Sequence, residues 1–215
     1  MASPLEGTRL KLLAIIRERG SATVDQLAQE IDLSSGTIRR HLDILQRDHF
    51  VSYQQSRKPQ GRPEYLYSLT EEGHESGYRD YQKLLTLLIT TIKGLSISEL
   101  ANKDGQELLA FLMSRISHSI SDFSSHNGSL PKDGRVAELE QLLTDCGYEP
   151  QIERNNGHIE VRLCNCPFRA AALCEESICL SDQYLIANVL GVQPVRQSSI
   201  RSGDPCCTYV AKLDS

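Results

Sequence analysis

The residues best suited to chemistry in this sequence are its cysteines, and all seven lie after residue 145. Six of them fall within one stretch, at Cys164, Cys166, Cys174, Cys179, Cys206 and Cys207. Soft thiolates select zinc or iron–sulfur centres, and clustered thiols in a reducing compartment are metal or redox ligands before they are structural disulfides. Cys146 precedes Gly147 at a predicted helix end and is expected to be a small buried hydrophobic side chain. The sequence therefore predicts a thiol-based metal or redox site near its C terminus.

The spacing of these cysteines differs from that of a structural zinc site. Zinc fingers usually contain two Cys-x2-Cys pairs, and the sequence has none. We expect the thiols to come from a loop, a helix start and a strand, which suits a cluster held across tertiary structure. Adjacent Cys206 and Cys207 are poorly placed to bridge each other, because disulfide geometry prefers Cα atoms about 5.5 Å apart. The spacing therefore suits an iron–sulfur centre, and zinc and a purely redox switch stay open as alternatives.

The N-terminal part of the chain is basic, although the whole chain has a net charge of −5. Residues 33–68 contain six basic and three acidic side chains, namely Arg39, Arg40, Arg47, Arg57, Lys58 and Arg62 against Asp43, Asp48 and Glu64. A modest basic patch on an acidic body suits a protein that reads specific DNA without binding every phosphate.

Three predicted helices and a hairpin would position these basic side chains. Apolar spacing predicts helices over 5–19, 24–30 and 35–48, with a capping box at 23–26 and Ser34 or Ser35 as the third N-cap. β-formers at 50–53 and 65–69 flank a polar loop. This order is typical of a winged helix-turn-helix, whose third helix enters the major groove. The predicted DNA contacts are Ser34, Ser35, Thr37, Arg39 and Arg40 on the helix and Arg57, Lys58 and Arg62 in the wing.

The remainder of the sequence predicts further helices and strands, so the fold class is α+β. Apolar stripes predict two helices within 71–122, and both are candidates for dimer contacts. A segment rich in Ser, Gly, Asn and Pro at 123–134 is predicted to be a linker. We expect a winged helix-turn-helix at 1–70, a helical dimerisation region at 71–122 and a cysteine-rich sensor domain at 135–215. Within the last domain, Asn155, Asn156 and Gly157 predict a hairpin turn, and Ser181 is a candidate helix cap.

Residues 22–69 resemble the winged-helix domain of the ArsR/DeoR-like regulators, which include the SufR-type iron–sulfur repressors. The most specific match is the Gly61-Arg62-Pro63 wing followed by residues 65–70. The similarity continues into the C-terminal part of the chain. There, Asn165-Cys166 and Cys179 reproduce the family's first cysteine interval, and Cys207 before Thr208 and Tyr209 resembles its last site.

The resemblance implies a homodimeric repressor that binds operator DNA and controls genes for iron–sulfur cluster assembly. It implies a cluster, 4Fe–4S rather than 2Fe–2S, held by Cys166, Cys179 and Cys207. The family's additional cysteine falls near Gln193, so the fourth ligand is open. Cys206 is the first choice, since the Gly-Asp-Pro-Cys-Cys end recurs in broader relatives. Cys164, Cys174, His158 or a ligand from outside the chain are the alternatives.

Other function classes find less support in the sequence. No apolar run reaches the ~18 residues that span a bilayer, and no secretory signal is visible, so we expect a cytoplasmic protein without membrane contact. The sequence has no phosphate loop, Gly-x-Gly-x-x-Gly motif or serine elbow, so we do not expect an enzyme. Two alternatives are kept: a winged-helix regulator that responds to zinc, another metal or a small molecule, and a thiol-based redox enzyme or metal carrier.

Overall fold

The computed structural model of the chain describes residues 7–56, 64–124, 132–155 and 157–212. The chain folds as two compact units, Met1–Gly77 and Tyr78–Ser215. Each unit combines helices with an antiparallel sheet, which confirms the predicted α+β class.

The first unit contains three principal helices and a small sheet. Its elements are α1 (Thr8–Arg19), β1 (Ala22–Thr23), α2 (Val24–Ile31), α3 (Ser35–Arg47), β2 (Val51–Ser56), β3 (Glu64–Leu69) and α4 (Glu71–Glu75). The strands are antiparallel in the order β1-β3-β2. The buried core joins the three helices to the sheet through Leu12, Leu13, Ile16, Leu27, Ile38, Leu42, Leu45 and Val51.

Local signals in the sequence explain where these helices begin. Thr23 caps α2 through the predicted box: its hydroxyl accepts from the Gln26 amide at 3.2 Å, and the Gln26 side chain accepts from the Thr23 amide at 2.9 Å. Ser34, rather than Ser35, caps α3 by accepting from the Thr37 amide at 3.2 Å. Strand β1 was not predicted, because two residues are too few to show an alternating pattern.

The second unit begins with helices and ends in a four-stranded sheet. Its helices are α5 (Tyr81–Lys93), α6 (Ile97–Leu100), α7 (Gly105–Ser124), α8 (Lys132–Asp145), α9 (Arg169–Cys174) and α10 (Leu180–Leu190). Its strands are β4 (Pro150–Asn155), β5 (His158–Leu163), β6 (Val195–Ser198) and β7 (Cys207–Lys212), with 3-10 turns at Glu176–Cys179 and Ile200–Ser202. The sheet is antiparallel in the order β4-β5-β7-β6.

Two hydrophobic clusters hold this unit together. In one, α8 and α10 pack on the sheet, with Leu139, Leu143, Ile159, Val161, Ile186 and Tyr209 almost fully buried. In the other, α5 and α7 pack against the segment before α10, through Leu84, Met113, Ile116, Phe168, Ile178 and Cys179. The helices that we expected to form a separate dimerisation region therefore share a core with the cysteine-rich part. The shared core arises because apolar side chains of α5 and α7 pack against Phe168 and Ile178.

Two other expectations differ from the structure. The linker predicted at 123–134 is shorter, because α7 continues to Ser124 and α8 begins at Lys132, while residues 125–131 lie outside the described residues. Ser181 does not cap α10, since it lies inside the helix and its hydroxyl donates to the Ile178 carbonyl at 2.7 Å. Among the residues that the structure describes, no helix is long and apolar enough to cross a membrane.

Candidate nucleic-acid interface and thiol site

Helix α3 has a buried face and an exposed face that bears the predicted DNA contacts. Ile38 and Leu42 are fully buried, whereas Thr37, Arg39 and Arg40 are exposed. Within the described part of the chain, neither guanidinium forms an ion pair. The two arginines therefore have free donors that could reach base edges or phosphates.

The serines predicted at the start of this helix have structural partners. Ser34 is exposed, and its hydroxyl serves the cap and lies 2.9 Å from the Thr37 hydroxyl. Ser35 donates to the Asp25 carboxylate of α2 at 2.9 Å, which joins the two helices of the motif. Both side chains set the position of the helix N terminus, where the backbone amides can face an anion.

The hairpin that follows α3 has tyrosines on its surface. The sequence indicates these tyrosines only as strand-forming residues. Tyr53 and Tyr65 are exposed, and their rings meet edge to face with centroids 4.9 Å apart. Tyr67 lies next to them, and burial followed by the Asp43 charge raises the pKa of its phenol. Asp43 belongs to α3, so this face of the hairpin adjoins that helix. The predicted wing contacts Arg57, Lys58 and Arg62 lie outside the described residues.

The three cysteines implied by the resemblance come from three different elements, as the sequence predicted. Cys166 lies in the loop before α9, Cys179 ends a 3-10 turn directly before α10, and Cys207 begins β7. Burial raises the pKa of the Cys166 thiol well above its ordinary value, and negative charges on Asp182, Cys207 and Cys179 raise it further. Burial, Asp182 and Cys207 raise the pKa of Cys179 to about 12. The structure therefore brings these three thiols within electrostatic reach of one another.

Cys206, the first choice for a fourth ligand, has a different partner. It forms a disulfide with Cys164, and the two Cα atoms are 4.1 Å apart. The two residues adjoin β7 and β5, whose ends are in register because Leu163 pairs with Cys207. Contrary to expectation, Cys206 is not available as a ligand in this state, because a sulfur in a disulfide is not a thiolate donor. The sequence could not show this pairing, because the register of distant strands brings the two together.

The other candidates for the fourth ligand are bonded, exposed or at the far end of a strand. Cys164 is consumed by the disulfide. Cys174 is exposed at the end of α9. His158 begins β5 and pairs with Lys212, whereas Leu163 at the other end of β5 pairs with Cys207. At about 3.3 Å per residue, this separates His158 from the level of Cys207 by roughly 16 Å.

A buried polar group beside the thiols was missed in the sequence. Asp182 is 4% exposed and accepts hydrogen bonds from the Tyr148 hydroxyl at 2.5 Å and the Tyr209 hydroxyl at 3.4 Å, and the Ser181 hydroxyl lies 3.3 Å from it. Burial raises the pKa of this carboxyl to about 6, although its hydrogen bonds lower the pKa. In the sequence, Asp182 is visible only as an acidic residue about one helical turn after Cys179. Acidic residues are common in the first turn of exposed helices, so its burial could not be predicted.

The described side chains do not form a preformed site for a single metal ion. No three of the described His, Cys, Asp or Glu side chains converge closely enough to hold one ion. A tetrahedral zinc site needs its four donors within about 2.3 Å of one point. In an iron–sulfur cluster each thiolate binds a different iron, so the thiols stay further apart.

Comparisons with known proteins show which kind of domain the N-terminal part of the chain forms. A family described as "Winged helix-turn-helix DNA-binding" matches residues 5–52. A transcriptional regulator homologue from Pyrococcus horikoshii OT3 is similar at 25% identity over 41% of this chain and 83% of its own, with a TM-score of 0.29. Bacillus subtilis PadR, solved with operator DNA, is similar at 16% identity over 64% of this chain and 89% of its own, with a TM-score of 0.30. No curated protein matches the chain. The chain carries a winged helix-turn-helix DNA-binding domain at its N terminus.

Proposed function

We propose that this protein is a transcriptional regulator that binds operator DNA through α3 and the wing. The main support is the exposed face of α3 with Arg39 and Arg40, in a domain of the winged helix-turn-helix DNA-binding family. Ser34 and Ser35 fix the start of that helix, so the arginines project from a defined position. A DNA-binding regulator of this kind works in the cytoplasm, and repression of iron–sulfur assembly genes is the role that the family resemblance suggests.

Replacement of either arginine tests the DNA-binding part of this proposal. An operator would first be selected with the wild-type protein from a random duplex library. Arg39→Ala and Arg40→Ala should each weaken binding by about 5- to 150-fold, because a good base contact contributes roughly 1–3 kcal/mol. Arg115→Ala is a matched control, since Arg115 is ion-paired with Glu99 in the second unit. Unchanged affinity of both α3 variants in fluorescence anisotropy would contradict the proposed interface.

The regulator is proposed to act as a homodimer through α5. Leu85, Ile89 and Ile92 are 48–58% exposed and recur every three or four residues along one face of this helix. Each chain has one recognition helix, and a two-fold dimer would place two of them about 34 Å apart on a palindromic operator. An exposed apolar stripe of this kind is typical of a surface that a second copy covers.

The proposed effector is an iron–sulfur cluster held by Cys166, Cys179 and Cys207. A cluster supplies a centre whose gain, loss or oxidation reports iron and redox conditions. The chain's own contribution is to draw three thiols from different elements, with Cys179 and Cys207 buried and Cys166 partly buried. Loss of the cluster would free the loop before α9, the start of α10 and the start of β7 from one another. This could favour a different arrangement of the unit.

The raised thiol pKa values weigh against the alternative of a thiol-based enzyme. Catalytic cysteines work as thiolates and sit in surroundings that lower their pKa. Here burial raises the pKa of Cys166, Cys179 and Cys207, so the free thiols remain protonated at neutral pH. Metal binding must also displace these protons, so the raised pKa values count against a thiolate nucleophile without themselves favouring a metal centre.

Anaerobic purification tests the effector. The wild-type protein should be brown, absorb in the visible region and contain iron and sulfide. Cys166→Ser and Cys179→Ser should lose most of the colour while remaining folded by circular dichroism. Cys174→Ser serves as the control, because Cys174 is exposed and is not one of the three proposed ligands. A colourless wild type with bound zinc would favour the zinc-responsive regulator, and a colourless, metal-free protein would reject both.

A further inference from the structure

We propose that Tyr53 and Tyr65 bind the DNA backbone, with their phenol hydroxyls donating hydrogen bonds to phosphates beside α3. The inference rests on the proposed DNA-binding function and adds two residues to its interface. Neither tyrosine was among the predicted DNA contacts, and the match to the winged helix-turn-helix family ends at residue 52. Its support is the register of the hairpin, the packing of the two rings and the side of α3 that adjoins them.

Strand register places the tyrosines on one face of the hairpin. Tyr53 pairs with Tyr67, and two residues further along the strands Gln55 pairs with Tyr65. Because alternate residues of a strand share a face, Val51 lies on this face as well. Val51 and Tyr67 are buried in the core that α3 helps to form. The face that packs on the helices therefore continues beyond the core as an exposed aromatic surface.

The two exposed rings are not needed to complete that core. Tyr53 and Tyr65 are 44% and 46% exposed, and neither belongs to the hydrophobic cluster of the first unit. Their rings meet edge to face, and the Tyr53 ring also lies 5.7 Å from the Tyr67 ring, centroid to centroid. A tyrosine braced in this way loses little conformational freedom on binding, and it offers an apolar ring with a hydroxyl at its edge. The pair therefore suits a polar, hydrated partner such as a sugar–phosphate backbone.

The neighbouring helix indicates which partner the tyrosines meet. Arg39 and Asp43 are four residues apart on α3, so they lie on one side of that helix. Burial and the Asp43 charge raise the pKa of the Tyr67 phenol, whereas the Arg39 charge lowers it, so this side of α3 adjoins the tyrosines. Arg39 is exposed and is one of the proposed DNA contacts. A duplex bound at Arg39 would pass its backbone along the hairpin, and tyrosine hydroxyls are among the groups that commonly bind phosphates.

The test uses the full-length protein and the operator selected with it. Tyr53→Phe and Tyr65→Phe keep both rings and remove only the hydroxyls. Each should weaken binding about 2- to 10-fold for each half-site, which is the range that one hydrogen bond contributes. Tyr184→Phe is the matched control, because it removes a phenol hydroxyl from α10 in the second unit and should leave DNA affinity unchanged. Fluorescence anisotropy measures the affinities, and urea unfolding checks that stability is retained.

Salt and sequence distinguish a phosphate contact by tyrosine from the contacts of the arginines. Phosphates carry no sequence information, so each tyrosine variant should lose affinity equally for the operator and for an unrelated duplex. A neutral phenol displaces no counterion, so the dependence of affinity on salt should keep its wild-type slope. Arg39→Ala should instead reduce that slope by about one or lower the preference for the operator.

Three results would overturn the assignment while leaving the DNA-binding proposal in place. Wild-type affinity in both phenylalanine variants would show that neither hydroxyl contacts DNA. A loss confined to the operator would show that the hydroxyls contact bases rather than phosphates. A loss of affinity matched by an equal loss of unfolding free energy would show a purely structural pair. A wild-type protein that selects no duplex would instead reject the proposed function itself.

Discussion

At the scale of single residues, the free thiols differ in exposure. Cys174 is exposed, while Cys146 is buried and burial raises the pKa of its thiol. Since the thiolate is the reactive form, we expect metal-free native protein to be labelled first at Cys174 by a maleimide. Raising the pH from 7 to 9 should leave Cys146 slow, because its pKa is shifted upward. Peptide mass spectrometry would check the order, and rapid labelling of Cys146 would contradict it.

Gly73 is a second residue with a specific prediction. A Cβ at this position would lie 2.0 Å from the Phe50 carbonyl oxygen, so backbone would have to move. We expect Gly73→Ala to lower the free energy of unfolding by about 1–3 kcal/mol, as overpacking does. Gly36→Ala is the control, because its nearest neighbour would be 3.8 Å away and alanine favours a helix by up to about 1 kcal/mol. Urea unfolding followed by circular dichroism should show opposite signs for the two variants.

At the scale of elements, the start of α2 depends on one hydroxyl. The Thr23 side chain accepts from the Gln26 amide, so Thr23→Ala should cost about 1 kcal/mol of stability. Thr23→Ser keeps the hydroxyl and removes only the methyl group, so it should retain most of the stability. If serine and alanine were equally destabilising in thermal unfolding, packing of the methyl group rather than capping would be responsible.

The elements also show how far the sequence could be interpreted. The capping box, the three helices and the hairpin of the first unit were predicted because their signals lie within a few residues. Cys166, Cys179 and Cys207 were assigned correctly to a loop, a helix start and a strand for the same reason. The short helix α9 and the 3-10 turn at Glu176–Cys179 were missed, because they are too short for periodicity. The Cys164–Cys206 bond and the position of Asp182 depend on strand register and packing, which local patterns do not contain.

At the scale of the whole molecule, the stripe on α5 predicts the oligomeric state. The wild-type chain should sediment at twice its mass of 24.0 kDa. Leu85→Glu combined with Ile89→Glu should give a monomer and weaken binding to a palindromic operator, because charge would enter the proposed interface. Val195→Glu is a control with an equally exposed apolar residue on β6. A double variant that remains dimeric would move the interface elsewhere.

The bond between Cys164 and Cys206 has a mechanical consequence for the second unit. It closes a covalent ring across a separation of 42 residues, and the ring contains Cys166, Cys179 and all of α10. Closing a loop of that size stabilises a fold by about 4 kcal/mol in chain-entropy terms. Replacing both cysteines with alanine should therefore lower the urea midpoint while leaving the iron content unchanged, since neither sulfur is a proposed ligand. The rigidity of this unit would then depend on whether its surroundings oxidise or reduce the Cys164–Cys206 pair, and not on whether an inorganic centre is bound.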